Sequence, residues 1–173
     1  MWYDYNLEKA APHNKKWYPS NLTPLYSLCH HDDLDLNETM DMWEHSAWAN
    51  FSGGIPTSLV KTQQQWDLPN SWPPMMEIVV TALENVLFIR ISACTKLMSD
   101  LYFQSKTNKG KMMARNLAEV FVQNVYKSWE KSDIIYEKYN CEEPGGGAGG
   151  GGEYDVQEGF GWTNGVTMHL LAK

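Results

Sequence analysis

Positive charge is scarce in this sequence. Fourteen lysines and arginines stand against 21 acids, and Arg90 and Arg115 are its two arginines. The net charge of −7 excludes the basic stripe that a phosphate-backbone partner requires, so no nucleic acid is expected. Long apolar runs are missing too. The stretch Val86 to Phe103 comes nearest, but Arg90, Lys96 and Asp100 interrupt it. A spanning helix needs about 18 or more uncharged apolar residues, so none is expected. The opening segment has no charged stretch followed by an apolar run, and no signal peptide is expected within it. Cysteine is sparse, with Cys29, Cys94 and Cys141 at no metal-binding spacing. His30 and His31 beside Asp32 and Asp33 offer ligand chemistry. Adjacent residues seldom converge on one ion without a distant partner, so a solvated loop is expected there. Neither metal nor cofactor is expected.

Aromatic residues are plentiful, with eight tryptophans and nine tyrosines. Most belong to a large core. Others suit a sugar site, because pyranose rings stack their C–H faces on aromatic rings. Sequons at Asn21, Asn37 and Asn50 are glycan acceptors only in the secretory pathway and hint at a secreted protein.

The apolar periods predict helices. Residues 1–28 read as a long connection with short helical pieces. Residues 34–50 suit a helix capped by Asp35 or Asn37, with Met40, Trp43, Ala47 and Trp48 near one face and Gly53 and Gly54 as its stop. A second helix begins after Ser71, with Pro73 and Pro74 in its first turn, where a missing N–H costs nothing. Met75, Val79, Ala82 and Val86, joined by Ile78, form its apolar face. A third covers about 111–130, where Met113, Leu117, Phe121 and Val125 recur with Val120 beside them. A last one follows Asn164. No strand alternation of useful length precedes the C-terminus, and the fold class is all-α.

Ten of the 13 glycines lie between Gly145 and Gly165. The run 145–152 would ordinarily be a linker, but it leads into twenty-odd residues dense in aromatics and carboxylates, so a flap over a site is expected. No Gly-Lys-Ser/Thr follows it, which excludes a phosphate loop. Two patches interleave aromatics with polar groups. Gln63 to Trp72 sets amides and a carboxylate beside tryptophan, which suits a polyhydroxylated ligand and equally a tight turn with buried rings. Glu137 to Trp162 carries Glu137, Glu142, Glu143, Glu153, Asp155 and Glu158. Glycoside hydrolysis needs two carboxyl groups across the scissile bond. A solvated acidic loop has the same composition, and composition does not decide.

Four ordered segments resemble the trehalase family of glycoside hydrolases. GGGAGGGGEYDVQEGFGWTNGV, from Gly145 to Val166, resembles its glycine-rich signature. QQWDLPNSWPP, from Gln64 to Pro74, resembles its second signature, preceded by GGIPTSL at Gly53 to Leu59. YPSNLTPLY at Tyr18 to Tyr26 and EKYN at Glu137 are also similar to family segments. The resemblance implies an (α/α)6 toroid and inverting hydrolysis of α,α-trehalose to two glucoses. A general-acid Asp would protonate the glycosidic oxygen, and a general-base Glu would activate water from the opposite face, with the two carboxyls roughly 6.5–9.5 Å apart. The family's base maps onto Glu137 and its substrate-binding Glu onto Glu153. Gln65, Trp66 and Trp162 follow as sugar contacts, while Glu142, Glu143 and Glu158 are read as solvated or structural.

The departures are as informative. The family's acid sits in a Ser-Gly-Trp-Asp-type motif upstream of these segments, and this sequence has none. Asp67, after Trp66, belongs to the other signature and does not replace it. The upstream sugar-binding arginines also lack counterparts. The chain therefore reads as the C-terminal part of the catalytic domain, a partial toroid lacking its N-terminal helices and inactive alone. The alternative is a non-catalytic remnant that at most binds sugar. Helix faces such as Met113, Leu117 and Phe121 would be left short of neighbours. Gln63 stands where the family usually has Gly, and Met75-Met76 replaces a more usual Leu-Gln. Residues 86–104 have no family counterpart. Removing them joins ALEN to SKTNKG smoothly, and their terminal codons suit an in-frame retained intron. The family and the sequons together imply secretion or membrane attachment of the complete protein.

Overall fold

The computed structural model describes residues 5–13, 16–30, 36–93 and 100–173, with the backbone alone over 36–37, 87–93 and 100–107. His31 to Asp33, the capping position Asp35, Cys94 and part of the 86–104 segment fall outside these residues, as does the side chain of Asn37. The described chain is mostly helical, as the apolar periods required. A two-residue hairpin, β1 (Tyr5–Asn6) with β2 (Ala11–Pro12), comes first. A short 3-10 turn and α1 (Thr23–Tyr26) follow, then α2 (Leu36–Glu44), β3 (Asn70–Ser71), α3 (Pro73–Ala93), α4 (Asp100–Ser132), β4 (Tyr139–Asn140) and α5 (Gly161–Leu171).

Helix α3 is the hub, packing against α4, α1 and α5. That position explains its long apolar run, since a helix covered on several sides needs no polar face. Met76, Val79, Val80 and Ala82 are fully buried, with Leu83 and Val86 nearly so. The buried face is thus broader than the Met75–Val86 stripe, while Ile78 is only half-buried. Its first turn holds Pro73 and Pro74 as expected, and the first free N–H groups, of Met75 and Met76, reach the Trp72 carbonyl.

On α4, Leu117 and Phe121 are buried in the core shared with α3, and Met113 packs against it. The expectation that these residues lack neighbours is therefore corrected. Among the described residues, the apolar groups left in water on these two helices are Met112, Tyr126 and Trp129 on α4, with Trp162, Met168 and Leu171 on α5. Asp133 ends α4 with a left-handed backbone (φ 59°), its N–H donating to the Trp129 carbonyl.

Three boundaries differ from the sequence expectation, the first being α4, which begins at Asp100 and not near 111. Helix α2 stops at Glu44, because Ser46 is extended and a separate 3-10 turn covers Ala47–Asn50. Ala47 is consequently exposed, whereas Trp43 is buried against Trp17, which also meets Trp48 edge-on. Helix α5 begins at Gly161, one turn before Asn164, and buries Thr163, Val166, Thr167 and Leu170 at helical spacing.

Candidate active site

Four short stretches lie side by side beyond the start of α3. Ser71 pairs with both Pro56 and Tyr139, and Tyr139 pairs with Ala148. Asn124, buried on α4, staples this platform. Its Nδ2 donates to the carbonyls of Gly53 (2.7 Å) and Asn140 (3.0 Å), and its Oδ1 accepts from the Gly145 N–H (2.7 Å). Gly53 admits no side chain there, since a Cβ would stand 2.8 Å from Asn124 Nδ2 and 2.9 Å from the Asn140 carbonyl.

Glu137 sits one residue ahead of Lys138, at the approach to β4. Its backbone is fixed on both sides: the N–H donates to the Gln157 carbonyl (2.9 Å), and Thr163 of α5 donates its hydroxyl to the Glu137 carbonyl (3.1 Å). The side chain is buried. Oε1 accepts the Tyr154 hydroxyl at 3.0 Å, while Oε2 is buried with no hydrogen-bond partner. A buried carboxylate oxygen left open is costly and marks a place for a ligand or water.

Lys138 is fully buried, its ammonium 4.0 Å from Glu137 Oε2. It donates to the Gly151 carbonyl (3.2 Å) and lies over the rings of Trp72 (5.2 Å) and Tyr154 (5.4 Å). Burial pulls its pKa below the ordinary lysine value, and the Glu137 charge offsets part of that. The Tyr154 phenol is raised by desolvation, then by its hydrogen bond to Glu137 and that carboxylate's charge.

The Gln63 to Trp72 patch forms the adjoining wall. Trp66 stacks on Trp72 with centroids 4.1 Å apart and planes 15° from parallel. Trp72 is buried and its indole N–H donates to the Gln65 carbonyl (2.8 Å), so Trp66 presents the open face. Gln65 Oε1 is a second buried acceptor without a partner. Asp67 is engaged locally, accepting the Ser58 and Thr62 hydroxyls.

The glycine-rich segment is hydrogen-bonded along its length. The Asn70 amide grips Gly150 twice, giving Nδ2 to its carbonyl (2.7 Å) and taking its N–H on Oδ1 (2.9 Å). Gly151 has φ +81° and lies against the Gln63 carbonyl, where any Cβ would collide. Residues 150–156 line an open depression of about 420 Å³, which includes Glu153. Glu153 is exposed and free of protein hydrogen bonds among the described residues. Trp162 is exposed in the first turn of α5, beside Thr163. Contacts therefore connect Gln65, Trp66, Trp72, Lys138, Tyr154 and Glu137 in sequence. Glu153 joins that set as the chain neighbour of Tyr154, and Trp162 as the chain neighbour of Thr163, whose hydroxyl bonds the Glu137 carbonyl. Glu142 is exposed and paired with Lys61, and Glu143 and Glu158 are exposed. Sequence reasoning missed Tyr154 and Lys138, although both lie inside the quoted motifs.

A family model described as trehalase matches residues 1–173. The chain belongs to the trehalase family. It is 38% identical over 170 residues to a trehalase of Homo sapiens, covering 98% of this chain and 26% of that protein. A Tenebrio molitor trehalase is 36% identical over 178 residues, covering 99% and 28%. An Arabidopsis thaliana trehalase is 31% identical over 180 residues, covering 99% and 26%. The chain thus spans about a quarter of the length of the relatives it matches. Within this trehalase-family segment, no helix of the described residues is long and apolar enough to cross a membrane.

Proposed function

We propose that this chain supplies the base-bearing, C-terminal part of an α,α-trehalase, within a partial (α/α)6 toroid. In the complete protein, Glu137 takes a proton from water as that water attacks the anomeric carbon. A carboxylic acid borne outside this chain protonates the departing glucose, and the configuration inverts. Glu153 accepts sugar hydroxyls, Gln65 Oε1 does the same from the wall, and Trp66 and Trp162 cover ring faces. The 145–152 segment is the flap over this site, held at Gly150 by Asn70 and at Gly151 by Lys138.

The observation that carries the reading is the buried Oε2 of Glu137, which accepts no hydrogen bond, in a trehalase-family chain. The stacked Trp66–Trp72 wall and the open Gln65 oxygen support it. The 173-residue chain by itself does not hydrolyse trehalose, because the acid motif is absent from its sequence. The sequons at Asn21, Asn37 and Asn50, together with the family, support secretion or membrane attachment of the complete protein. Asn50 is exposed, whereas the Asn21 side chain accepts the Tyr18 N–H.

The test is Glu137→Gln in the complete polypeptide carrying this sequence. Loss of a general base is expected to cost turnover at least about 10²–10⁴-fold with folding unchanged. Retained glucose release would remove Glu137 as the base.

A further inference from the structure

Two oxygens of one carboxylate stand in different surroundings here. Glu137 Oε1 is committed to the Tyr154 hydroxyl at 3.0 Å, and Oε2 is buried with no partner. Building on the reading of Glu137 as the base, we propose that Tyr154 is a positioning residue for that carboxylate. Its hydroxyl occupies Oε1 and leaves Oε2 to receive the proton of the attacking water.

The geometry is built rather than incidental. Tyr154 follows the glycine run, whose Gly150 and Gly151 are tied to Asn70 and Lys138, so the loop delivers the phenol to one place. The backbone of Glu137 is tied to Gln157 and Thr163, which fixes the other end of the bond. Lys138 and Tyr154 are the titratable groups that face this carboxylate among the described residues. A hydrogen bond to the ionised form keeps a carboxylate charged, and an anchored Oε1 removes rotation about the terminal bond. In the step itself, a water O–H breaks and its proton goes to Oε2. The water oxygen bonds to the anomeric carbon. The glycosidic C–O pair stays with the leaving glucose, which takes a proton from a carboxylic acid on the opposite face. The loop that carries Tyr154 therefore also completes the base.

The test uses Tyr154→Phe, which deletes only the hydroxyl of a side chain that is 44% exposed. In the complete polypeptide, kcat should fall about tenfold with KM within about threefold. The acid limb of the kcat/KM profile should move to higher pH, because a donor to the ionised carboxylate is gone. A raised KM with an unmoved limb would overturn the proposal, making Tyr154 a sugar contact. Glu137→Gln is measured alongside. If it retains turnover, the base reading fails. If it is inactive while the Tyr154→Phe profile is unmoved, only the positioning role fails.

Discussion

The ammonium of Lys138 lies 4.0 Å from Oε2 of Glu137, and the side chains are 0% and 5% exposed. That separation is too long for a hydrogen bond, so the two charges share a dry environment without quenching each other. Lys138 spends its donors on the Gly151 carbonyl and on two aromatic faces. Oε2 consequently keeps both a nearby positive charge and a free lone pair.

Lys138→Met should expose this dependence. Removing one partner of a buried charge pair leaves the other uncompensated, at a cost of about 3 kcal/mol. The loss should be smaller when Lys138→Met is combined with Glu137→Gln, whose neutral amide needs no cation. Urea unfolding of the single and double variants measures it. Equal losses in both backgrounds would reduce Lys138 to a packing role.

Cys141 sets an alkaline limit. Its thiol, ordinarily 9.0, is pushed up to about 12 by burial and then by the Glu142 charge. The folded chain keeps a proton that the unfolded chain releases, so this stabilisation is complete below pH 9 and is lost as pH rises toward 12. Tyr139, raised from 10.0 to about 12 by burial, acts in the same direction from pH 10 upward. Cys141→Ala should flatten the fall in stability above pH 9, read by urea midpoints from pH 8 to 11. Native alkylation followed by mass mapping should modify the exposed Cys29 and spare Cys141. Labelling of Cys141 at the rate of Cys29 would contradict its burial.

The 86–104 segment should be dispensable for the core. Helices α3 and α4 touch backbone to backbone where Gly110 meets Leu83, since a Cβ on Gly110 would stand 3.1 Å from the Leu83 carbonyl. Without 86–104, Glu84, Asn85 and 105–109 still join those points, within the usual length of about 2–8 residues for a helix–helix connection. Asn85 would keep its bonds to the Leu25 and Tyr26 carbonyls. The deletion variant should unfold cooperatively, within about 2 kcal/mol of the parent after losing buried Val86. Loss of cooperative unfolding would make the segment structural, and its presence throughout mature message would remove the retained-intron reading.

Local signals were legible where one residue type decides the backbone. Pro73 and Pro74 marked the start of α3, and the four-residue period of Leu117, Phe121 and Val125 marked the buried side of α4. The end of α2 was not legible, because an extended Ser46 between two helical stretches leaves the apolar spacing of Trp43 and Trp48 intact. Lys138 was missed because a lysine between a glutamate and a tyrosine reads as solvated. Its burial depends on Trp72, which lies 66 residues earlier in the chain.

The sequence by itself pointed to the family and to most of the helices and marked Glu137 as a candidate base, because motifs and apolar periods are local properties of the chain. It also marked Glu153, Gln65, Trp66 and Trp162 as candidates. The tertiary structure decided which oxygen of Glu137 is free and which neighbours surround it. Tyr154, Lys138 and Trp72 come from three stretches, and their meeting is set by the Asn124 staple and the Asn70 grip on Gly150. Hydrogen bonds between distant backbones leave no periodic trace in a sequence, so that arrangement became visible only in the folded chain.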